Sequence, residues 1–197
     1  MTDAATFERC MSTGGVAVFP ADTVYGLACD PSSADAVRRL NSLKGRRLSK
    51  PSAVMFFDRD LALDALPELG PRTRAAFERL LPGGVTLLVP NPRHRWTLAC
   101  GADPGTLGLR VPVVDKLRKV RRPVLQSSAN HAGEPDARRL ADVPEPIRAQ
   151  ADLLIDGGEL PGTASTVVDL RAYESDGVYE VMREGAVSRQ SVEAALS

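Results

Sequence analysis

Little in this sequence points to disulfide, metal or membrane chemistry. Cysteine occurs only at Cys10, Cys29 and Cys100, without paired spacing, and histidine only at His94 and His131, so neither a disulfide framework nor a zinc site is indicated. Cys29 is read as a small buried side chain rather than a nucleophile. No apolar run is long enough to span a bilayer, and the start of the chain carries acidic residues without the extended apolar core of a secretory signal. These absences predict a soluble, cytoplasmic protein with no membrane contact. Charge of one sign is missing as well: 25 basic residues balance 25 acidic ones, so attraction to a polyanion has to be local. There is no internal repeat or low-complexity segment, and Pro144-Glu145-Pro146 reads as punctuation near a helix start, not a linker. With 197 residues, 43% of them hydrophobic, a single domain over 1–197 is expected.

What is present is concentrated in four segments. Val16-Ala17-Val18-Phe19 is a buried-strand run leading into Pro20-Ala21-Asp22-Thr23-Val24-Tyr25-Gly26-Leu27, read as a loop. Ser32-Ser33-Ala34-Asp35 offers N-caps for a helix with apolar Ala36, Val37, Leu40 and Leu43, which Gly45 can end. Lys44, Arg46, Arg47 and Lys50 follow on a second loop; so many cations in seven residues are either solvated or face an anion. Pro123 to Gly133 opens a short strand into Ser127, Ser128 and Asn130, either a self-bonded turn or a loop that donates to phosphate or a base edge. Ser165-Thr166-Val167-Val168-Asp169 and Val178 to Ala186 read as a hairpin carrying Ser165 and Arg183, joined by a polar turn from Ala172 to Gly177. Lys116, Arg118, Lys119, Arg121 and Arg122 crowd the end of another expected helix, either as a solvated face or as a weak RNA contact with few aromatics to stack bases.

Periodicity predicts helices at 3–12, 33–43, within 59–66 and 71–81, 113–120, 136–149 and 188–196. Strands are predicted at 15–19, 52–57, 84–89, 107–111, 123–127, 152–155, 164–170 and 178–183. The alternation gives an α/β fold class, and the late strand pair without an intervening helix argues against a purely parallel sheet.

Taken in order from about Gly14 to Ala186, these segments, with Gly108 to Pro112 between them, resemble the YrdC-like threonylcarbamoyl-AMP synthase family in its short form. The resemblance implies a twisted mixed β-sheet with flanking helices around a large open cleft. It also implies condensation of L-threonine, bicarbonate and ATP to threonylcarbamoyl-adenylate and pyrophosphate for tRNA modification. ATP would be a substrate, accompanied by Mg2+, with no tightly bound cofactor and no metal held by the protein, and a tRNA threonylcarbamoyltransferase would act downstream. Carried over residue by residue, the resemblance makes Lys44 and Arg46 catalytic. It gives ATP Arg46, Lys50, Thr106, Ser128, Asn130, Arg138 and Arg183, and gives threonine Thr23, Met55, Arg110, Ser128 and Ser165. No general base stands out, so positioning is expected to carry most of the rate.

Three positions depart from the pattern: Ala21 where a threonine is common, Arg47 where a proline follows Lys-Gly-Arg, and Met55 where a histidine is common near the threonine pocket. The alternatives are therefore a related carbamoyl-adenylate-forming enzyme with a different substrate, for which Met55 is the main support, and a non-enzymatic RNA-binding module.

Overall fold

The computed structural model describes residues 3–197. Its frame is one mixed sheet of nine strands in the order β7-β1-β2-β6-β3-β5-β4-β8-β9. The strands are β1 (Ala17–Pro20), β2 (Tyr25–Cys29), β3 (Ala53–Met55), β4 (Val85–Pro90), β5 (Thr106–Arg110), β6 (Val124–Ser128), β7 (Leu153–Leu154), β8 (Thr166–Asp169) and β9 (Glu180–Arg183). Pairs β1–β7, β3–β5 and β4–β8 are parallel, and the others antiparallel. Helices α1 (Asp3–Ser12), α2 (Ala34–Leu43), α3 (Arg59–Ala65), α4 (Pro71–Leu80), α5 (Glu145–Gln150), α6 (Tyr173–Asp176) and α7 (Arg189–Leu196) complete it. The mixed α/β class is as expected.

Two apolar clusters hold the layers together. The larger joins Val18, Leu27, Val54 and Leu125 of the sheet to Val37 and Leu40 of α2 and Phe77 of α4. The smaller gathers Phe7 of α1 with Phe19, Met55, Phe57 and Val124, and the Phe7 ring lies 5.4 Å from Phe19 and 5.5 Å from Phe57. Burying one such side chain is worth about 1.5–3 kcal/mol.

The structure corrects the element prediction in four places, one of them the polar turn expected from Ala172 to Gly177 between the last two strands, which holds the short helix α6. Residues 25–29, the first three of them read as the end of a loop, form β2, which makes 17–29 a hairpin closed by the tight turn at Ala21–Val24. Gly26 and Ala28 hide that strand from propensity, yet all five of its residues are buried. The helix expected at 113–120 is only a 3-10 turn, Asp115–Leu117. The amides of Leu117 and Val120 bond three residues back, to Val114 and Leu117, so the apolar spacing there is three, not 3.6. The helix expected at 136–149 breaks into a 3-10 turn, Leu140–Asp142, and the short α5. Pro144 and Pro146 enforce that break, since proline disfavours helical backbone before it and suits the first turn.

Candidate functional site

Helix α2 sets the first wall. Ser33 caps it by accepting from the Ala36 amide at 3.3 Å, and Gly45 at φ +60° ends it while the Arg46 amide bonds back to the Asn41 carbonyl at 2.9 Å. This stop turns Lys44 and Arg46 toward the end of β6. The opposite wall is the open end of the β8–β9 hairpin. There a side chain at Gly185 would meet the Ala164 carbonyl oxygen at 2.1 Å, so only glycine allows the approach. As a result the Arg183 guanidinium donates to the Ser165 carbonyl at 2.8 Å.

Between these walls lie two adjoining cavities. One, of about 240 Å³, is lined by Thr23, Arg46, Arg110, Gln126, Ser127, Ser128, Asp136, Ser165 and Arg183. The other, of about 420 Å³, has Leu88, Cys100, Gly108 and Thr106 in its walls. They share Pro51, Ser52, Ala53, Thr86, Val167 and Arg183. Three guanidiniums, those of Arg46, Arg110 and Arg183, therefore face one small polar lobe, an arrangement that suits an anion.

Arg110 is the most constrained of the three. It is buried, and its Nη2 donates to Asp22 Oδ1 at 2.7 Å and to the Ala21 carbonyl and Thr23 Oγ1, both at 3.3 Å. Its Nε is buried without a partner among the described residues, which leaves a donor for a ligand. Burial pushes Asp22 up and Arg110 down from their ordinary values, and each partner's charge opposes the other's shift. Asp22 stands at φ +59° and also takes the Val113 amide at 3.1 Å. Arg46 spends its fork on the loop around it. Nε reaches Asn41 and Nη1 Ser127, each at 3.2 Å, while Nη2 reaches Ser52 Oγ and the Lys50 and Pro51 carbonyls. Burial lowers its pKa.

Several predicted residues sit elsewhere or do something else. Lys44 does not line the cavity: its ammonium donates to the Ser128 carbonyl, to the Asn130 carbonyl at 2.8 Å and to Asn130 Oδ1 at 3.0 Å. All three donors hold the Ser128–Asn130 loop, so Lys44 stands in this structure as a loop anchor. Asn130 likewise uses its amide inside the loop, accepting from Ser128 Oγ and donating to the Glu134 carbonyl, both at 2.6 Å. Lys50 is exposed and outside both cavities. Arg138 is on the surface, paired with Glu159 at 2.9 Å. Met55 is fully buried in the smaller apolar cluster, one strand from Arg110 in register, and does not line the lobe. Thr23, Ser128, Ser165, Arg46, Arg110 and Arg183 do converge there, and Thr106 borders the larger lobe. Of the five cations after Pro112, Lys116 bonds the Asp156 carbonyl at 2.7 Å, and Arg121 and Arg122 face Asp58 and Asp30 at 3.7 and 3.9 Å.

Asp22, Thr86, Gln126 and Asp136 were not anticipated. Thr86 pairs its hydroxyl with Ser165 Oγ at 2.8 Å. The alternating burial of β4 carries a signal for it, since Thr86, Leu88 and Pro90 share the less buried face. Gln126 stands between Ala28 and Ala53 in register, where small neighbours leave it facing the lobe.

Burial and the Arg46 charge lower the Lys44 pKa from 10.5 to about 8, with Asp136 opposing. Below pH 8 the folded protein carries the cost of a buried ammonium, and that cost disappears between pH 8 and 10.5 as the folded form loses a proton the unfolded chain keeps. The stability of wild type relative to Lys44→Met should therefore rise over that window, by at most about 1.4 kcal/mol per pH unit. Denaturant titrations of both proteins at several pH values check this; a flat difference would show that Lys44 titrates normally.

A mixed sheet that brings three guanidiniums and a set of hydroxyls to one lobe, beside a more apolar one, defines an α/β protein built to hold an anionic ligand with an apolar part. The chain belongs to the Sua5/YciO/YrdC family, whose model, described as telomere recombination, matches residues 9–185. It is 35% identical over 175 residues to the threonylcarbamoyl-AMP synthase of Stutzerimonas stutzeri, covering 84% of this chain and 91% of that protein. It is 26% identical to the threonylcarbamoyl-AMP synthase of Bacillus subtilis, covering 92% of this chain but 53% of the longer relative. Its fold matches P. abyssi Sua5 complexed with L-threonine at a TM-score of 0.82 and 26% identity, over 96% of this chain and 56% of that one. The chain thus spans about half the length of some relatives and nearly all of others.

Proposed function

We propose that this chain, as one domain over its length, is an L-threonylcarbamoyl-adenylate synthase of the cytoplasm, using ATP, bicarbonate and L-threonine. The observation that carries the reading is the convergence of Arg46, Arg110 and Arg183 on one lobe of about 240 Å³ with Thr23, Ser128 and Ser165 at its edge. The relatives named as threonylcarbamoyl-AMP synthases and the Sua5 structure with L-threonine support it. Among the described residues no helix is long and apolar enough to cross a membrane.

The reaction joins the threonine amine to the carbon of bicarbonate with loss of water. An oxygen of the resulting carbamate then attacks the α-phosphorus of ATP, and the bond to the bridging oxygen breaks to release pyrophosphate. Charge grows on the phosphates as that bond breaks, and cations fixed beforehand stabilise it better than mobile water does. Arg46 and Arg183 fill this role, and the free Nε of Arg110 offers the threonine carboxylate a charge-assisted bond. Lys44 acts at one remove, by holding the Ser128–Asn130 loop against the nucleotide. A Mg2+ ion arriving with ATP would find one carboxylate in the polar lobe, Asp136, and would supply further charge neutralisation there. The product passes to a downstream tRNA threonylcarbamoyltransferase, and the exposed Arg118 and Lys119 are the cations placed for weak direct contact with RNA.

Purified protein incubated with ATP, labelled bicarbonate and each amino acid in turn tests the reading, with the adenylate detected by mass. The expected product contains the label, threonine and AMP, and appears only when all three substrates are present. An adenylate formed without any amino acid would replace this reading with carbamoyl-adenylate synthesis.

A further inference from the structure

Asp22 belongs to the tight turn Ala21–Val24 but acts on a strand far from it in sequence. Its Oδ1 accepts from Arg110 Nη2 at 2.7 Å and its Oδ2 from the Val113 amide at 3.1 Å, so one carboxylate ties down both ends of the segment 110–113. The Ala21 carbonyl and Thr23 Oγ1 meet the same Nη2 at 3.3 Å. Among the described residues, every bond to the Arg110 side chain therefore ends on one nitrogen, and all three acceptors come from one turn. Nε is left buried with no partner. The two side chains are only 4% and 11% exposed, so little water is at hand to orient the guanidinium in place of Asp22. The backbone bears this out. Asp22 stands at φ +59°, a conformation that costs free energy in a residue with a side chain, less in asparagine and aspartate than in most. The chain carries that cost at the residue that grips Arg110, and strain of this kind is held where a fixed geometry is required.

We propose that Asp22 is a positioning residue for recognition of the amino-acid carboxylate: it holds the Arg110 guanidinium in one direction, so that selection for a carboxylate depends on Asp22 although Asp22 does not touch the substrate. This rests on the reading of Arg110 as the partner of the threonine carboxylate. A guanidinium recognises a carboxylate through directed N–H bonds, and one that is free to turn loses affinity as it is ordered on binding. Three arginines already face the lobe, so positive charge is not scarce there. Direction is what Asp22 adds. Without its carboxylate, Arg110 would have more net charge and less fixed direction, and these two changes act on carboxylate binding with opposite signs. If Asp22 positions Arg110, its removal lowers the preference for a carboxylate; if it only competes with substrate for Arg110, its removal raises that preference.

L-Threoninamide keeps the amine, hydroxyl and methyl of threonine and lacks the carboxylate. The ratio of kcat/KM for L-threonine to that for L-threoninamide, from initial rates of pyrophosphate release by the full chain, therefore reads the carboxylate contact. Asp22→Asn keeps the size of the side chain and suits a positive φ, and Asp22→Gly suits it better still while removing the side chain. In wild type the ratio should be about a hundred or more. In each folded variant it should fall by about tenfold, through a higher KM for threonine with kcat within about threefold of wild type. A general loss of stability lowers both substrates together and leaves the ratio alone. A ratio unchanged or raised in a folded variant overturns the proposal while the synthase reading stands, and so does failure of both variants to fold, which would make the pair part of the scaffold. Equal use of threonine and threoninamide by wild type overturns Arg110 as the carboxylate partner and the proposal with it. Absence of product from wild type with either substrate overturns the synthase reading itself.

Discussion

Arg46→Ala should lower ATP turnover by about a hundredfold, equivalent to about 2.7 kcal/mol of transition-state stabilisation. Arg46 is the one cation of its loop that both lines the polar lobe and is fixed from several sides, through Asn41, Ser127, Ser52 and the Lys50 and Pro51 carbonyls. Its charge is thus held in place before the substrate arrives, which is the condition under which a cation lowers a barrier rather than merely binding. Alanine removes the charge and releases residues 50–52 at once. Arg46→Lys separates the two effects, because it keeps a cation and loses the planar fork. Arg46→Lys should recover only part of the rate, since one ammonium cannot reach the partners now held by three nitrogens. Steady-state pyrophosphate release, with circular dichroism to confirm folding, is the measurement. Unchanged turnover in folded Arg46→Ala would remove this loop from the chemistry.

The legible parts of the fold were those where local and tertiary preferences agree. Helix α2 was readable to within a residue because Ser33, the spacing of Ala36, Val37, Leu40 and Leu43, and Gly45 all state the same boundary. Strand β2 was not, since Gly26 and Ala28 are poor strand formers that the sheet tolerates by burying them beside Phe19 and Gln126. The site behaved in the same way. Arg110, Ser165 and Arg183 come together at one lobe because backbone pairing delivers them: β5 carries Arg110, and the β8–β9 register sets Val167 opposite Arg183. The bonds of Lys44 were not legible because motif position says nothing about which oxygens take its donors; only the fold brings the Ser128 and Asn130 carbonyls to its ammonium. Asp22 lay in plain view inside the first motif, but its value depends on a backbone at φ +59° and on a partner 88 residues away.

Threonine should be preferred to valine by more than about two hundredfold, the limit that an apolar pocket reaches for neighbours of similar shape. The polar lobe holds hydroxyls whose bonds can extend to a substrate hydroxyl: the Ser165–Thr86 pair at 2.8 Å, and Thr23, which is buried beside Arg110. With valine in place of threonine these groups lose water and gain no partner, a cost of about 1–3 kcal/mol for each one left unpaired. Met55 does not enter this selection. It lies in the cluster with Phe7, Phe19 and Phe57, so its departure from the family histidine gives no support to a different amine. Met55→His should accordingly leave threonine affinity no better and cost about 1–3 kcal/mol of stability, because an imidazole there buries polar nitrogens among phenyl rings. Initial rates of pyrophosphate release with threonine, valine and serine, measured on wild type and Met55→His, separate the cases. Equal use of valine would show that the hydroxyls of the lobe serve the fold alone. Tighter threonine binding in Met55→His would show that position 55 reaches the lobe after all, through a rearrangement of β3 beside Arg110.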